Sequence, residues 1–303
     1  MRLIERLDSA FTYLLSQPRH LLVLRLTLLA LLFYGGMPSN LLKALLGILC
    51  GTMIIYTPLT GSRFMWVCIT SVVTFYNAFY WEIYSNYHYL LTYWCIACTL
   101  AVFSKEEDSV LKWNARVLIG LCFLFAATWK IIGGEYFDGT LQHFLFLIDK
   151  RIDVFSSLLG LENDALAQNR HLLSVLKENP AVGLGVTLNS STNVHYLSIL
   201  SSYYTILIES LIAVSFLSFH VRFLEKARDT LLIVFIVSVY FILPVPGFGF
   251  IVTLLGFAQS SPESRKINIA YLLLLIPLQI STLPMMMPKL VGTLTSYLLP
   301  LGV

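Results

Sequence analysis

Residues 229–257 read DTLLIVFIVSVYFILPVPGFGFIVTLLGF. Asp229 is the only charged residue among them, so the stretch has the apolar character of chain that avoids water. A bilayer core about 30 Å thick takes roughly 20 such residues as one helix. In its middle stands Pro244-Val-Pro-Gly-Phe-Gly249, and neither proline can donate the backbone hydrogen bond that would continue a straight helix. The stretch is therefore a kinked span, a short hairpin or a re-entrant pair of half-helices. Which of these it is decides the side on which the chain continues.

Outward from this stretch the character persists. Of 303 residues 57% are hydrophobic and 12% charged, with a mean hydropathy of +0.77, where an ordinary soluble domain has about 45–50% apolar and about 25% charged residues. So few polar side chains cannot coat a water-facing surface, which excludes a soluble globular enzyme. Further apolar windows lie near 20–36, 41–58, 64–81, 88–104, 117–133, 196–219 and 268–287. The expected fold is all-α, a polytopic integral membrane bundle of about eight or nine spans, with residues 1–303 as one domain. No internal repeat or low-complexity tract divides it. In residues 1–19, Leu3, Ile4, Leu7, Phe11, Leu14 and Leu15 recur at helical spacing, with Arg2, Glu5, Arg6 and Asp8 on other positions. This predicts an amphipathic helix on the inner membrane surface. A cleavable signal peptide is not expected, because no short apolar core with a small-residue cleavage site follows the basic start.

Orientation follows from the basic residues in the joints. Arg2, Arg6, Arg19, Arg63, Lys105, Lys112, Arg116, Arg222, Lys226 and Arg228 share one side if the N-terminus is cytoplasmic. Arg265 and Lys266 join them only if 229–257 returns to the side where it began. Lys43, Lys289 and the long segment 134–195 then lie outside. In that segment Leu141–Phe155 and Asn163–Lys177 have helical composition, and Pro180, Gly183 and Gly185 end the second. These are expected as interfacial helices capping the bundle. A net charge of +3 gives no footprint for nucleic acid, so the expected partner is the bilayer, with an exported peptide or other membrane proteins beside it.

An ionisable group at membrane depth costs about 2.5–3.5 kcal/mol near a helix centre, so each needs a partner, water or a reason. Lys130 ends the fifth window and reads either as a snorkelling anchor or as a group facing a pocket. Glu209 sits too deep in the sixth to snorkel and calls for a buried partner or a wet cavity. Arg25 reads as an anchor on the cytoplasmic side. Between the third and fourth windows, an interfacial aromatic belt explains the Tyr and Trp residues of 77–90, but not Asn77, Glu82, Asn86 and His88 arriving together. Cys95-Ile-Ala-Cys98 puts two thiols on one helical face, as in membrane thiol–quinone oxidoreductases, while Cys50, Cys68 and Cys122 favour cysteine as a small hydrophobe. The six histidines show no metal-ligand spacing.

Two segments carry a resemblance. Ala126-Ala-Thr-Trp-Lys130-Ile-Ile-Gly-Gly-Glu135-Tyr136-Phe-Asp138-Gly139-Thr140 and Asn86-Tyr87-His88-Tyr89-Leu90 resemble signatures of the horizontally transferred transmembrane (HTTM) superfamily, which includes the vitamin K-dependent γ-carboxylases. The chain differs from the carboxylases in two places. Tyr87 stands where their motif has histidine, which here follows as His88, and Lys130-Ile131 stands where they have two lysines. Their large extracytoplasmic domain has no expected counterpart, and bacterial members similar to sporulation-delaying-protein maturation factors match the size better. With these polar and ionisable residues, the resemblance implies a polar pocket opening to the outer face between the third, fourth, fifth and sixth windows. Lys130 and His88 would be its acid–base groups and Asn77, Glu82, Asn86 and Glu209 its substrate-binding residues. It further implies action on an exported peptide or on a lipid-soluble substrate such as a quinol. The alternatives are a non-enzymatic transporter, immunity or scaffold protein, and an oxidoreductase using Cys95 and Cys98.

Overall fold

The computed structural model of the chain describes residues 2–36, 39–178, 185–218 and 221–280. It is all-α. In order the helices are α1 (Arg2–Ser16), α2 (Arg19–Tyr34), α3 (Asn40–Ile55), α4 (Thr57–Thr60), α5 (Arg63–Phe79), α6 (Asn86–Phe103), α7 (Glu107–Gly133), α8 (Thr140–Ile148), α9 (Asp153–Leu158), α10 (Asn163–Glu178), α11 (Thr192–Leu217), α12 (Arg222–Ile242), α13 (Pro246–Gln259) and α14 (Arg265–Ile280). Each apolar window falls on a helix, although residues 281–287 of the last, with Lys289, Pro180 and Gly183, lie outside the described residues. Two helices among the described residues, α7 and α11, are long and apolar enough to cross a membrane. The others over the windows are shorter or more polar. The 16 residues of α2, α3 and α14 reach only about 24 Å as helix.

The stretch 229–257 is a helical hairpin. Pro246 occupies the first turn of α13, where its missing N–H costs nothing, and the chain turns between Leu243 and Val245. Asp229, early in α12, accepts a hydrogen bond from Gln259 at the last residue of α13. At the other end Gly249 lies against the ring of Tyr240. The two helices are therefore antiparallel, and the chain re-emerges beside the start of α12. There Arg19 of α2 donates to the Phe257 carbonyl, to Ser260 Oγ at 2.8 Å and to Asn268 Oδ1 at 3.1 Å. Arg265 reaches Asp8 of α1 at 2.7 Å. His20 meets Glu107 at 3.1 Å, and Arg116 donates to the carbonyls of Phe216 and Ser218 at 2.9 and 3.1 Å. Arg25 is tied to Gln17 and Thr57 at the same end. These contacts gather the basic residues at one end of the bundle, hereafter the basic end. Of the α1 face expected to be apolar, Phe11, Leu14 and Leu15 pack on the bundle, while the side chains of Leu3, Ile4 and Leu7 lie outside the described set.

Helix α13 is the hub. Residues 249–259 are all buried, as fits a helix that is hydrophobic all round, and α2, α6, α7, α12 and α14 pack about it. Gly256 makes one of these approaches possible, because a Cβ there would collide with the Tyr271 ring of α14 and with Leu232 of α12. Tyr271 in turn donates to Asp229 at 2.9 Å. The bundle's outer faces are apolar. On α11, Tyr196, Leu200, Tyr203, Leu207, Leu211 and Val214 form an exposed stripe at helical spacing, and Tyr93, Leu100 and Phe103 do so on α6.

The segment expected as helix over Leu141–Phe155 is interrupted. Asp149 ends α8 and accepts from the Arg151 backbone and side chain, so a 3-10 turn over Lys150–Ile152 precedes α9. With α10 these pieces bury a second small cluster, Phe146, Leu147, Ile152, Leu161, Leu166 and Val194, at the end opposite the basic one. The Asn169 side chain holds the return strand of chain by accepting from Asn189 N at 2.8 Å and donating to its carbonyl at 2.9 Å.

Candidate functional site

Helices α7 and α11 pack antiparallel and more extensively than any other pair. Gly120 of α7 makes the approach close at the basic end, where a Cβ would collide with Leu217. Side chains of a helix lean toward its N-terminus. Lys130 on α7 therefore leans back toward the basic end, and Glu209 on the opposed α11 leans the other way, so their stems converge. The two form an ion pair, Nζ on Oε1, with side chains 13% and 7% exposed. Glu209 Oε2 has no hydrogen-bond partner among the described residues. The Lys130 ammonium also stands 5.2 Å from the ring centroid of Tyr136, a cation–π contact made possible by the turn after Gly134 (φ +74), which carries the chain back over the helix end.

Lys130 faces a groove of about 880 Å³ between α6 and α7. Asn86, Leu90 and Tyr93 supply the α6 wall at i, i+4 and i+7 spacing. Leu118, Leu121, Cys122, Phe125, Ala126 and Trp129 supply the α7 wall, with Tyr136 at one end and Phe248 of α13 in the floor. The lining, expected to be polar, is apolar apart from Asn86, Thr128, Lys130 and the hydroxyls of Tyr93 and Tyr136. Such a groove offers dispersion and hydrophobic contact along its length and a single cationic donor, Lys130, a form that suits an elongated apolar molecule with one polar head.

The residues singled out in the sequence fall into three places. Lys130, Glu209 and Asn86 belong to the groove or stand directly behind it. His88 does not. Two positions on from Asn86 it points about 200° round α6, buried between Tyr84 and Tyr87 with ring centroids at 4.6 and 4.0 Å. Its Nε2 occupies the space left by Gly36 and lacks a partner among the described residues. Asn77 ties α5 to α6, donating to the His88 carbonyl at 3.0 Å and to Thr92 Oγ1, which is an architectural use of a buried amide. Glu82 lies exposed in the turn between the two helices. No contact joins Lys130 to His88, Asn77 or Glu82, so the expected shared pocket contracts to Lys130 and Glu209 with Asn86 at its rim.

Cys95 and Cys98 are fully buried, and Cys98 Sγ lies 3.7 Å from Thr27 Oγ1 on the α2 side. Neither lines the groove. Among the described residues no three His, Cys, Asp or Glu side chains converge on a point that would hold a metal ion.

Sequence reasoning missed Tyr136 and Phe248, which come from outside the helices that frame the groove, and it missed the buried polar cluster of the basic end. For that cluster a signal existed: Asp229, Gln259 and Asn268 are polar residues inside or bordering apolar windows, and each finds a buried partner. No family model matches the chain, and neither a curated protein nor a solved structure matches it.

Proposed function

We propose that this chain is a polytopic membrane protein of the HTTM type, with a cytoplasmic N-terminus, that takes a lipid-soluble molecule into the groove between α6 and α7 and presents its polar head to Lys130. The groove itself carries the reading. Its walls suit an isoprenoid or acyl tail, and its one cation retains donors beyond the bond to Glu209. The membrane setting is supported by the exposed apolar faces around the bundle, which in water would form patches far larger than soluble proteins present. It is supported too by the gathering of basic residues at one end, which fits a cytoplasmic face. Short helices such as α3 and α13 then require local thinning or burial within the bundle.

The chemistry that fits this site is proton transfer to or from a bound quinol or a peptide group at the outer face, with Lys130 as the exchanging group and Glu209 as its store of opposite charge. Maturation of an exported peptide is the biological setting that the HTTM resemblance implies. One observation favours a second reading. The ion pair is direct and mostly shielded, as expected of a lock between α7 and α11 in a non-enzymatic transporter, immunity or scaffold protein.

A short-chain ubiquinol titrated into the protein in nanodiscs tests the groove. Trp129 lines it, so saturable quenching of tryptophan emission is expected. Cys122→Phe, which fills the groove two helical turns short of Lys130, should remove the saturable component while the folded yield stays at the wild-type level. Equal quenching in the filled variant would place the molecule elsewhere and overturn the reading.

A further inference from the structure

Away from the groove, at the end opposite the basic one, α8 and the start of α11 hold two imidazoles together. Gly139 (φ +75) opens α8 and is pressed onto α11 so closely that a Cβ would lie 3.1 Å from the Ile199 backbone. One turn along α8 from this contact is His143. One turn back along α11 from Ile199 is His195. Their ring centroids are 5.3 Å apart with planes at 71°. The close backbone contact fixes both helices, so the rings are presented by a rigid frame and not by a loop.

We propose that His143 and His195 form a binding site for a borderline divalent transition-metal ion, with Zn²⁺ as the type. Two imidazoles bound through nitrogen to one tetrahedral ion, about 2.0–2.1 Å from each nitrogen, place their ring centroids about 5 Å apart, which is the spacing found. Ser190 Oγ stands 2.7 Å from His143 Nε2, where it can accept from Nε2–H when Nδ1 binds a ligand. A ligating histidine whose other nitrogen is held by an oxygen in this way is the usual arrangement around protein-bound metal. Burial, with His195 alongside, pushes the His143 imidazole below its ordinary value. His195 is exposed and His143 half-buried. Two protein ligands leave the remaining positions to water, which makes this an exchangeable site, independent of the groove and of any role for Lys130.

The test uses the full chain in detergent, stripped with a chelator, and Zn²⁺ competed against a chromophoric chelator. One equivalent should bind. His143→Ala and His195→Ala should each weaken binding at least tenfold, and Ser190→Ala should weaken it less than either. His171→Ala, an exposed histidine on α10, should leave it unchanged. If either alanine variant loses the wild-type elution profile, asparagine at the same position keeps polarity without imidazole and carries the same expected loss. No binding by the wild type at millimolar Zn²⁺, or binding that both histidine variants retain, overturns the proposal.

Discussion

Lys130→Met strands Glu209. The carboxylate is 7% exposed, its Oε1 is held by Lys130 alone and its Oε2 has no partner among the described residues. At an effective dielectric of about 20, unit charges about 4 Å apart attract by about 4 kcal/mol. Breaking a buried pair by removing one member costs about 3–5 kcal/mol, because the survivor remains charged in a dry site. Lys130→Met and Glu209→Gln should therefore each destabilise the fold by that amount. Lys130→Met/Glu209→Leu, which replaces the pair with apolar side chains, should return to within about 1 kcal/mol of wild type. Denaturant unfolding in mixed micelles, read as a double-mutant cycle, supplies all four values. Single variants within about 1 kcal/mol of wild type, or a double variant as unstable as the sum, would refute the burial of this pair. Lys130→Arg separates lock from base: it keeps the charge and the fold, yet a guanidinium does not give up its proton. A variant that folds and still supports the biological activity places Lys130 among the locks.

Three other outcomes are expected. Single cysteines at Glu5 or Lys105 should react with impermeant reagents only from the cytoplasmic side and one at Asp164 only from the opposite side; reaction of Asp164→Cys from the cytoplasm would invert the groove. Gly256→Ala should lower stability by about 1–3 kcal/mol through overpacking against Tyr271 and Leu232, measured by thermal unfolding, and a neutral effect would mean that α13 and α14 are less closely packed than described. Hydrogen bonds from Arg151 hold the Asp149 carboxyl below its ordinary range. Its contribution to α9 is therefore complete above the unfolded value near about 4 and fades as pH falls through the lower folded value. Amide protection across residues 150–158, taken relative to the intrinsic exchange rate at each pH, should fall over that acid window in the wild type and be already low, and flat with pH, in Asp149→Ala.

Helix placement was legible because apolar runs of the right length leave few choices, and the windows at 20–36, 64–81 and 88–104 coincide with α2, α5 and α6 to within a few residues. The break at Pro244–Gly249 was visible, but its direction was not. Proline says that a helix stops, whereas the antiparallel return depends on Asp229 meeting Gln259 and on Gly256 admitting Tyr271, both of them contacts between distant parts of the chain. Lys130 and Glu209 were legible singly as charges inside long apolar runs, and the opposed lean of side chains on antiparallel helices supplies the pairing. His88 went astray for a rotational reason. Residues adjacent in a motif spread over a helix circumference, and Asn86 and His88 look to opposite sides of α6. The split of residues 141–155 depended on Asp149 preferring to cap the next turn over continuing α8, a competition that composition leaves open.

The central place of α13 also bears on the order in which the molecule is built. A helix with no outward face has nothing of its own to anchor it, so its position exists only once its neighbours do. Four of them, α2, α6, α7 and α12, leave the ribosome before it, and α14 leaves after. The hairpin turn delivers α13 into a cleft that is still open on one side, and α14 closes that side, with Asn268 on Ser260 at the α13 terminus and Tyr271 on Asp229 of α12. A nascent chain arrested before Arg265 would hold Gln259 and Ser260 next to an open flank. Helix α14 thus acts as a keystone of assembly, and quality-control proteases should discriminate most sharply between chains that end just before α14 and chains that include it.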